Sequence, residues 1–195
     1  SNLDARLRLQ TREEIRRIQK ATGITTIFVT HDQEEAMSIS DCIVVMKAGV
    51  IHQIGKPQQV YDDPVNLFVA KFLGTPPINV FDGEIRGGRL FLGDDEVMTL
   101  ADAADGKVTV GIRPEGFIPD EQGALKCGLL NVEVMGRDVS VVSTHPAFQG
   151  VAIRSIIASD AAIDREAETV RFRLKPGKVL LFDPQTEARI PFRAV

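Results

Sequence analysis

The sequence predicts an α/β segment followed by an all-β segment, and three observations carry that expectation. Apolar residues fall at helical spacing over residues 3–20. A run of β-branched residues over 25–30 leads straight into a second helix start. Beyond Gly74-Thr75-Pro76-Pro77 the chain becomes a succession of short apolar segments punctuated by Gly, Pro and Asp.

In order along the chain, Leu3, Leu7, Ile15 and Ile18 share one helical face, and Glu13 and Arg17 can pair one turn apart. Gly23 ends this helix. The run TTIFVT, residues 25–30, is short and apolar enough for a buried strand. Asp32 then suits an N-cap, with Glu34 and Glu35 in a first turn where the helix dipole favours negative charge. His31 therefore sits at a strand-to-helix switch. Residues 41–46 and 50–54 read as two strands joined at Ala48-Gly49, and Gly55-Lys56-Pro57 stops the hairpin. Short helices are expected near 58–61 and 65–72. Two prolines and a glycine cannot continue a helix, so the domains are divided at residue 74, giving 1–74 and 75–195. Strands are expected at 80–85, 89–92, 108–112, 129–134, 140–143, 151–157, 169–174, 179–182 and 189–192. Many short strands at close intervals imply a small barrel or sandwich.

Bulk properties narrow the classes. The 195 residues are 44% hydrophobic and 26% charged, an ordinary globular balance that disfavours disorder. The longest apolar runs fall far short of the roughly 20 residues needed to span a bilayer. The charged start lacks the apolar middle of a secretory signal, so the cytoplasm is the expected compartment. Residues 1–77 carry 9 basic and 9 acidic side chains, and 78–195 carry 14 and 18. A chain with no Trp and one Tyr, and an acidic second half, argues against nucleic-acid binding. Cys42 and Cys127 are expected as free thiols, and His52 and His145 lack the neighbours of a zinc site.

Three stretches, TTIFVTHDQEEA, DCIVVMKAGVIHQIGKPQQVYDDP and NLFVAKFLG, closely resemble the end of the ATP-binding domain of carbohydrate-type ABC importers, the group of the maltose and glycerol-3-phosphate systems. Gly111-Ile112-Arg113-Pro114-Glu115 resembles the family's IRPE segment, and Leu181-Phe182-Asp183 before Thr186 its terminal FD-x-x-T pattern. The stretch 131–163 departs most, with Met135-Gly136-Arg137-Asp138 in place of an acidic Leu-Gly segment. The resemblance implies the C-terminal part of an ABC nucleotide-binding domain followed by an OB-like regulatory barrel. It implies that Ser1, Asn2, Leu3 and Asp4 form the D-loop that couples paired nucleotide sites, and that His31 is the switch histidine on the ATP γ-phosphate. It also implies ATP and Mg in the full-length subunit, a homodimer, transmembrane permease partners, a regulatory protein or ligand at the β domain, and a cytoplasmic place on the inner face of the membrane.

Read without the resemblance, His31 is a turn or capping residue, and Asp4 a helix N-cap. The cations Arg6, Arg8, Arg12, Arg16, Arg17 and Lys20 read as a solvated helix face. Phosphoryl transfer needs a phosphate-cradling loop, a magnesium ligand and a residue that positions water. The sequence has no G-x-x-x-x-G-K-[ST] and no LSGGQ-type signature. Residues 90–96 imitate an apolar strand ending in Asp-Glu, but Gly93 interrupts it, and a hairpin with an acidic turn is expected there. The chain is thus expected to begin after the family's catalytic glutamate and, alone, not to hydrolyse ATP. Two other classes stay open: a free-standing regulatory or dimerisation module, and a barrel for a small ligand or nucleic acid. Apolar faces of the first helix and of residues 25–30 are expected to drive self-association.

Overall fold

Helix α1, Asn2–Thr22, follows the expected amphipathic stretch and ends where Gly23 turns left-handed (φ +66°) and donates its N–H to the Gln19 carbonyl at 2.9 Å. The computed structural model describes residues 2–159 and 163–195, with the side chains of residues 2–6 undescribed. Within these residues the chain forms two compact units, residues 1–63 and 64–195.

In the first unit, α2 (Gln33–Ile39) begins at the expected cap, where Asp32 accepts from the N–H groups of Glu34 and Glu35. Strands β1 (Ile43–Lys47) and β2 (Val50–Gly55) form an antiparallel hairpin. Its turn needs positive φ at both central residues, which Ala48 (φ +49°) and Gly49 (φ +80°) supply. Helix α3, Pro57–Asp62, starts on a proline whose missing N–H would have been an orphan anyway, and buries Val60.

Three expectations are corrected here. Residues 25–30 form no strand: Ile27 and Val29 are 89% and 90% exposed, and no described strand pairs with them. Composition favours an extended chain, but a strand exists only when a neighbour takes its N–H and C=O groups. The α1 cations are not all solvated, because Arg12 and Arg16 turn onto α2 and the chain beyond it. Arg17 pairs with Glu14 at 2.8 Å, one residue from the expected Glu13, and this bond holds the Glu14 carboxyl below its usual range.

The second unit opens with α4, Leu67–Phe72, capped by Asn66, whose Oδ1 accepts from Val69 N–H at 2.9 Å. Next come β3 (Asn79–Arg86), β4 (Arg89–Leu92), β5 (Asp95–Ala101), β6 (Gly106–Ile112), β7 (Phe117–Pro119) and β8 (Leu125–Met135). The last strands are β9 (Asp138–Thr144), β10 (Ile153–Ala158), β11 (Thr169–Leu174), β12 (Val179–Phe182), β13 (Arg189–Ile190) and β14 (Arg193–Ala194). One sheet has the order β13-β12-β6-β3-β4-β5-β14, the other β10-β9-β8-β11-β7, and every pairing is antiparallel. The imitation motif at 90–96 is β4, a Gly93 turn and the start of β5, the hairpin the sequence predicts. Strands β7 and β14 and most of β5 were not expected: β7 and β14 are only three and two residues long, too short to show a period.

The two sheets are curled around one core that mixes Phe81, Leu90 and Val110 from the first with Phe117, Leu125 and Phe172 from the second. The second sheet meets the first along the N-terminal half of β3, which β4 leaves unpaired. That half takes a strand-like rung from the β9–β10 loop, with Asp82 N–H on the Ala147 carbonyl at 2.8 Å and Gln149 N–H on the Val80 carbonyl at 2.9 Å. The buried Asn79 amide continues the seam, accepting from Arg154 N–H and donating to its carbonyl, both at 2.9 Å. The result is barrel-like and mostly β. The compact units divide eleven residues before the expected boundary at 74, because α4 packs Leu67 and Ala70 against Ile78, Val80, Leu180 and Phe182.

Candidate functional site

The turn between residues 24–30 and α2 carries the residue singled out by sequence. His31 is exposed and its side chain makes no hydrogen bond among the described residues. The backbone on either side of it, by contrast, is held. Thr30 Oγ1 accepts from Asp32 N–H at 3.0 Å and donates to Glu35 Oε2 at 2.7 Å. Asp32 Oδ1 takes the N–H groups of Glu34 at 2.9 Å and Glu35 at 3.2 Å. Arg12 then reaches across from α1, its Nη2 3.1 Å from Asp32 Oδ2 and its Nε at 3.6 Å from Glu35 Oε1, an ion-pair distance beyond hydrogen-bond range. Four residues later on the same helix, Arg16 donates to the Ile39 carbonyl and, at 3.2 Å, to Asp41.

The Asp32 carboxyl is held below its ordinary range chiefly by the Glu35 N–H, against a desolvation cost, with the Arg12 charge, the Glu34 N–H and Arg8 adding to the effect. A turn braced on both sides, with a free imidazole at its apex, suits a residue that meets a ligand from outside. Neutral or protonated, an imidazole N–H can donate to a phosphate oxygen.

Of the other predicted site residues, Ser1 lies outside the described residues. Asn2, Leu3 and Asp4 fall in the first turn of α1, and their side chains lie outside what the structure describes. Asp4 is not the N-cap, since the helix is already formed at Asn2. Sequence reasoning missed the bracing set Arg12, Thr30 and Glu35. The i, i+4 repeat of Arg12 and Arg16 beside a short acidic helix is the signal that points to it.

The two other motifs resolve into scaffolding. Asp183 Oδ1 accepts from Gln185 N–H at 2.9 Å and from Thr186 N–H at 2.7 Å and Oγ1 at 3.0 Å, a tight side-chain turn that also depresses its pKa. In the IRPE segment Arg113 is buried, and Glu115 meets Lys178 at 3.2 Å. Cys42 is exposed and Cys127 buried, both free, and burial pushes the Cys127 thiol up to about 12. His145, nearly buried, accepts from Ala147 N–H through Nδ1 at 3.1 Å and faces Asp95 across 3.4 Å.

Among the described residues no group of His, Cys, Asp and Glu is arranged to hold a metal ion, and no helix is long and apolar enough to cross a membrane. With no phosphate-cradling loop in the sequence, the residues present fit a single contact to phosphate through His31 and do not fit Mg-ATP as a whole. No hydrolytic step follows from this chain's own groups.

No protein-family profile matches the chain. It is 41% identical over 194 residues to an sn-glycerol-3-phosphate import ATP-binding protein of Jannaschia sp. (strain CCS1), a match covering 97% of this chain and 54% of that protein. A sulfoquinovosyl glycerol transport ATP-binding protein of Agrobacterium fabrum (strain C58 / ATCC 33970) is 37% identical over 200 residues, 97% of this chain and 55% of its own length. An Fe(3+) ions import ATP-binding protein of Fusobacterium nucleatum subsp. nucleatum is 47% identical over 125 residues, 62% of this chain and 33% of that protein. The chain spans about half the length of the curated relatives that it matches almost throughout.

Proposed function

From the premise that this chain's homologues over nearly its whole length are ATP-binding subunits of ABC-type solute importers, we propose that it is the C-terminal part of such a subunit, energising uptake of a sugar or related solute. The near-complete match at 41% identity carries the reading, and the braced turn that presents His31 supports it. In this reading His31 donates to the γ-phosphate of ATP held mainly by the rest of the subunit. That bond strengthens as charge develops on the phosphoryl oxygens during transfer. Residues 1–4 are the D-loop, at the interface of two copies. The β unit is an OB-like regulatory domain that strengthens the dimer or receives a regulatory partner. The paired subunits sit on a membrane permease at the cytoplasmic face, bind two Mg-ATP between them, and drive the permease by closing.

The relatives' printed solutes run from glycerol 3-phosphate through sulfoquinovosyl glycerol to ferric iron. So wide a range over one kind of ATP-binding chain supports the view that solute choice is made elsewhere.

The test is ATP hydrolysis by the product of the whole gene, wild type and His31→Ala, beside the 195-residue chain. Loss of one preorganised donor to a transition-state oxygen is expected to lower kcat by roughly 10²–10³-fold. The chain alone is expected to be inert. Wild-type turnover in His31→Ala would remove His31 from the mechanism, and a whole-gene product without ATPase activity would end the importer reading.

A further inference from the structure

We propose that Arg12 is a positioning residue for His31: reaching from α1, its guanidinium holds the two carboxylates that fix the backbone on either side of that histidine. Helix α2 has seven residues and buries none of them, so burial does little to set where its start lies against α1. Side-chain bonds do that instead, and two arginines one helical turn apart supply them. Arg16 holds the far end of α2 through the Ile39 carbonyl and Asp41, and Arg12 holds the near end.

Around His31 the fastenings close into a ring. Arg12 meets Asp32 at 3.1 Å and Glu35 at 3.6 Å. The other oxygen of Glu35 accepts from Thr30 Oγ1 at 2.7 Å, and Thr30 Oγ1 accepts from Asp32 N–H at 3.0 Å. Residues 30 and 32 are thus both tied to one cation, with His31 between them. Arg12, its side chain only 16% exposed, is the member of the ring that comes from another element. Asp32, Glu34 and Glu35 put three carboxylates within four residues. Without a cation among them they repel one another and any anion that His31 meets. Arg12 Nε is buried and makes no hydrogen bond among the described residues, so the fork is half made, and closing the gap to Glu35 would complete it. That His31 meets the γ-phosphate rests on the importer reading; the hold of Arg12 on the turn does not.

The test uses the product of the whole gene. Arg12→Met is expected to lower kcat for ATP hydrolysis by about 10–100-fold with KM unchanged, as a slightly misplaced donor would. In a His31→Ala background Arg12→Met should cost nothing more, because its effect passes through the imidazole. Arg12→Lys, which keeps the charge and loses the fork, should recover part of the loss. Without nucleotide, the amides of Glu34 and Glu35 should exchange about two- to fivefold faster in Arg12→Met, while those of β1 stay as they are. An equal loss in both backgrounds would reveal a merely structural role and overturn the proposal, as would unchanged exchange at Glu34 and Glu35. Full loss in His31→Ala beside wild-type turnover in Arg12→Met defeats this proposal alone. Wild-type turnover in His31→Ala defeats the reading of His31 and the proposal with it. Where Arg12→Met yields no folded protein, Arg12→Lys in the two backgrounds decides by the same comparison.

Discussion

Replacing Asn79 with alanine tests whether the β unit depends on the seam between its two sheets. The Asn79 side chain is 4% exposed and makes three hydrogen bonds: two at 2.9 Å to the backbone of Arg154 and one at 3.3 Å to the Ile112 carbonyl. A net hydrogen bond contributes about 1 kcal/mol, and unpaired buried groups cost more, so two good bonds and one long one give a loss of about 2–3 kcal/mol in Asn79→Ala. For a unit of this size that corresponds to a fall in melting temperature of roughly 8–12 °C. Because the chain has two units, the assay must report on one of them. The single tyrosine, Tyr61, lies in the first unit, so its fluorescence follows that unit, while far-ultraviolet dichroism of the sheets follows the other. Asn79→Ala should shift the dichroism transition and leave the tyrosine transition in place, with faster exchange at Arg154 N–H. A loss below about 0.5 kcal/mol, the range of an ordinary surface substitution, would refute the seam as a source of stability.

Three further outcomes are expected. At mildly alkaline pH a thiol reagent should modify Cys42 quickly and Cys127 only on unfolding, because burial raises the Cys127 thiol from 9.0 to about 12. A raised folded pKa means that the folded chain keeps a proton the unfolded chain loses. This contribution to stability is full below about pH 9 and is lost as pH rises toward 12, and Cys127→Ala should remove that alkaline decline in denaturant titrations. The 195-residue chain should self-associate through Ile24, Ile27, Phe28 and Val29, which are 42–90% exposed, so scattering mass should rise with concentration and fall in Ile27→Lys. A clean monomer at high concentration would rule this out.

The features legible in the sequence are those decided within a few residues. Asp32 caps α2 because its acceptors are two and three residues away, the Ala48-Gly49 turn forms because its strands follow directly, and Gly93 makes the β4–β5 hairpin in place of an acidic metal strand. The resemblance reached further, marking His31, Arg113 and Asp183 as positions of note, but two of the three turned out to hold the scaffold together. Residues 25–30 show the limit from the other side: their composition favours a strand, yet no described neighbour pairs with them. Arg12 looks like one more exposed cation until α2 is folded beside it.

By itself, then, the sequence determined the local caps and turns, the change from α/β to β pattern, and the family likeness. Tertiary structure alone decided that Arg113 meets carbonyls 40 and 43 residues before it, that Asn79 meets Arg154 across 75 residues, and that α4 goes with the barrel. The physical reason is that a hydrogen bond or a buried contact depends on position in space, and only the packed core brings such distant residues within reach.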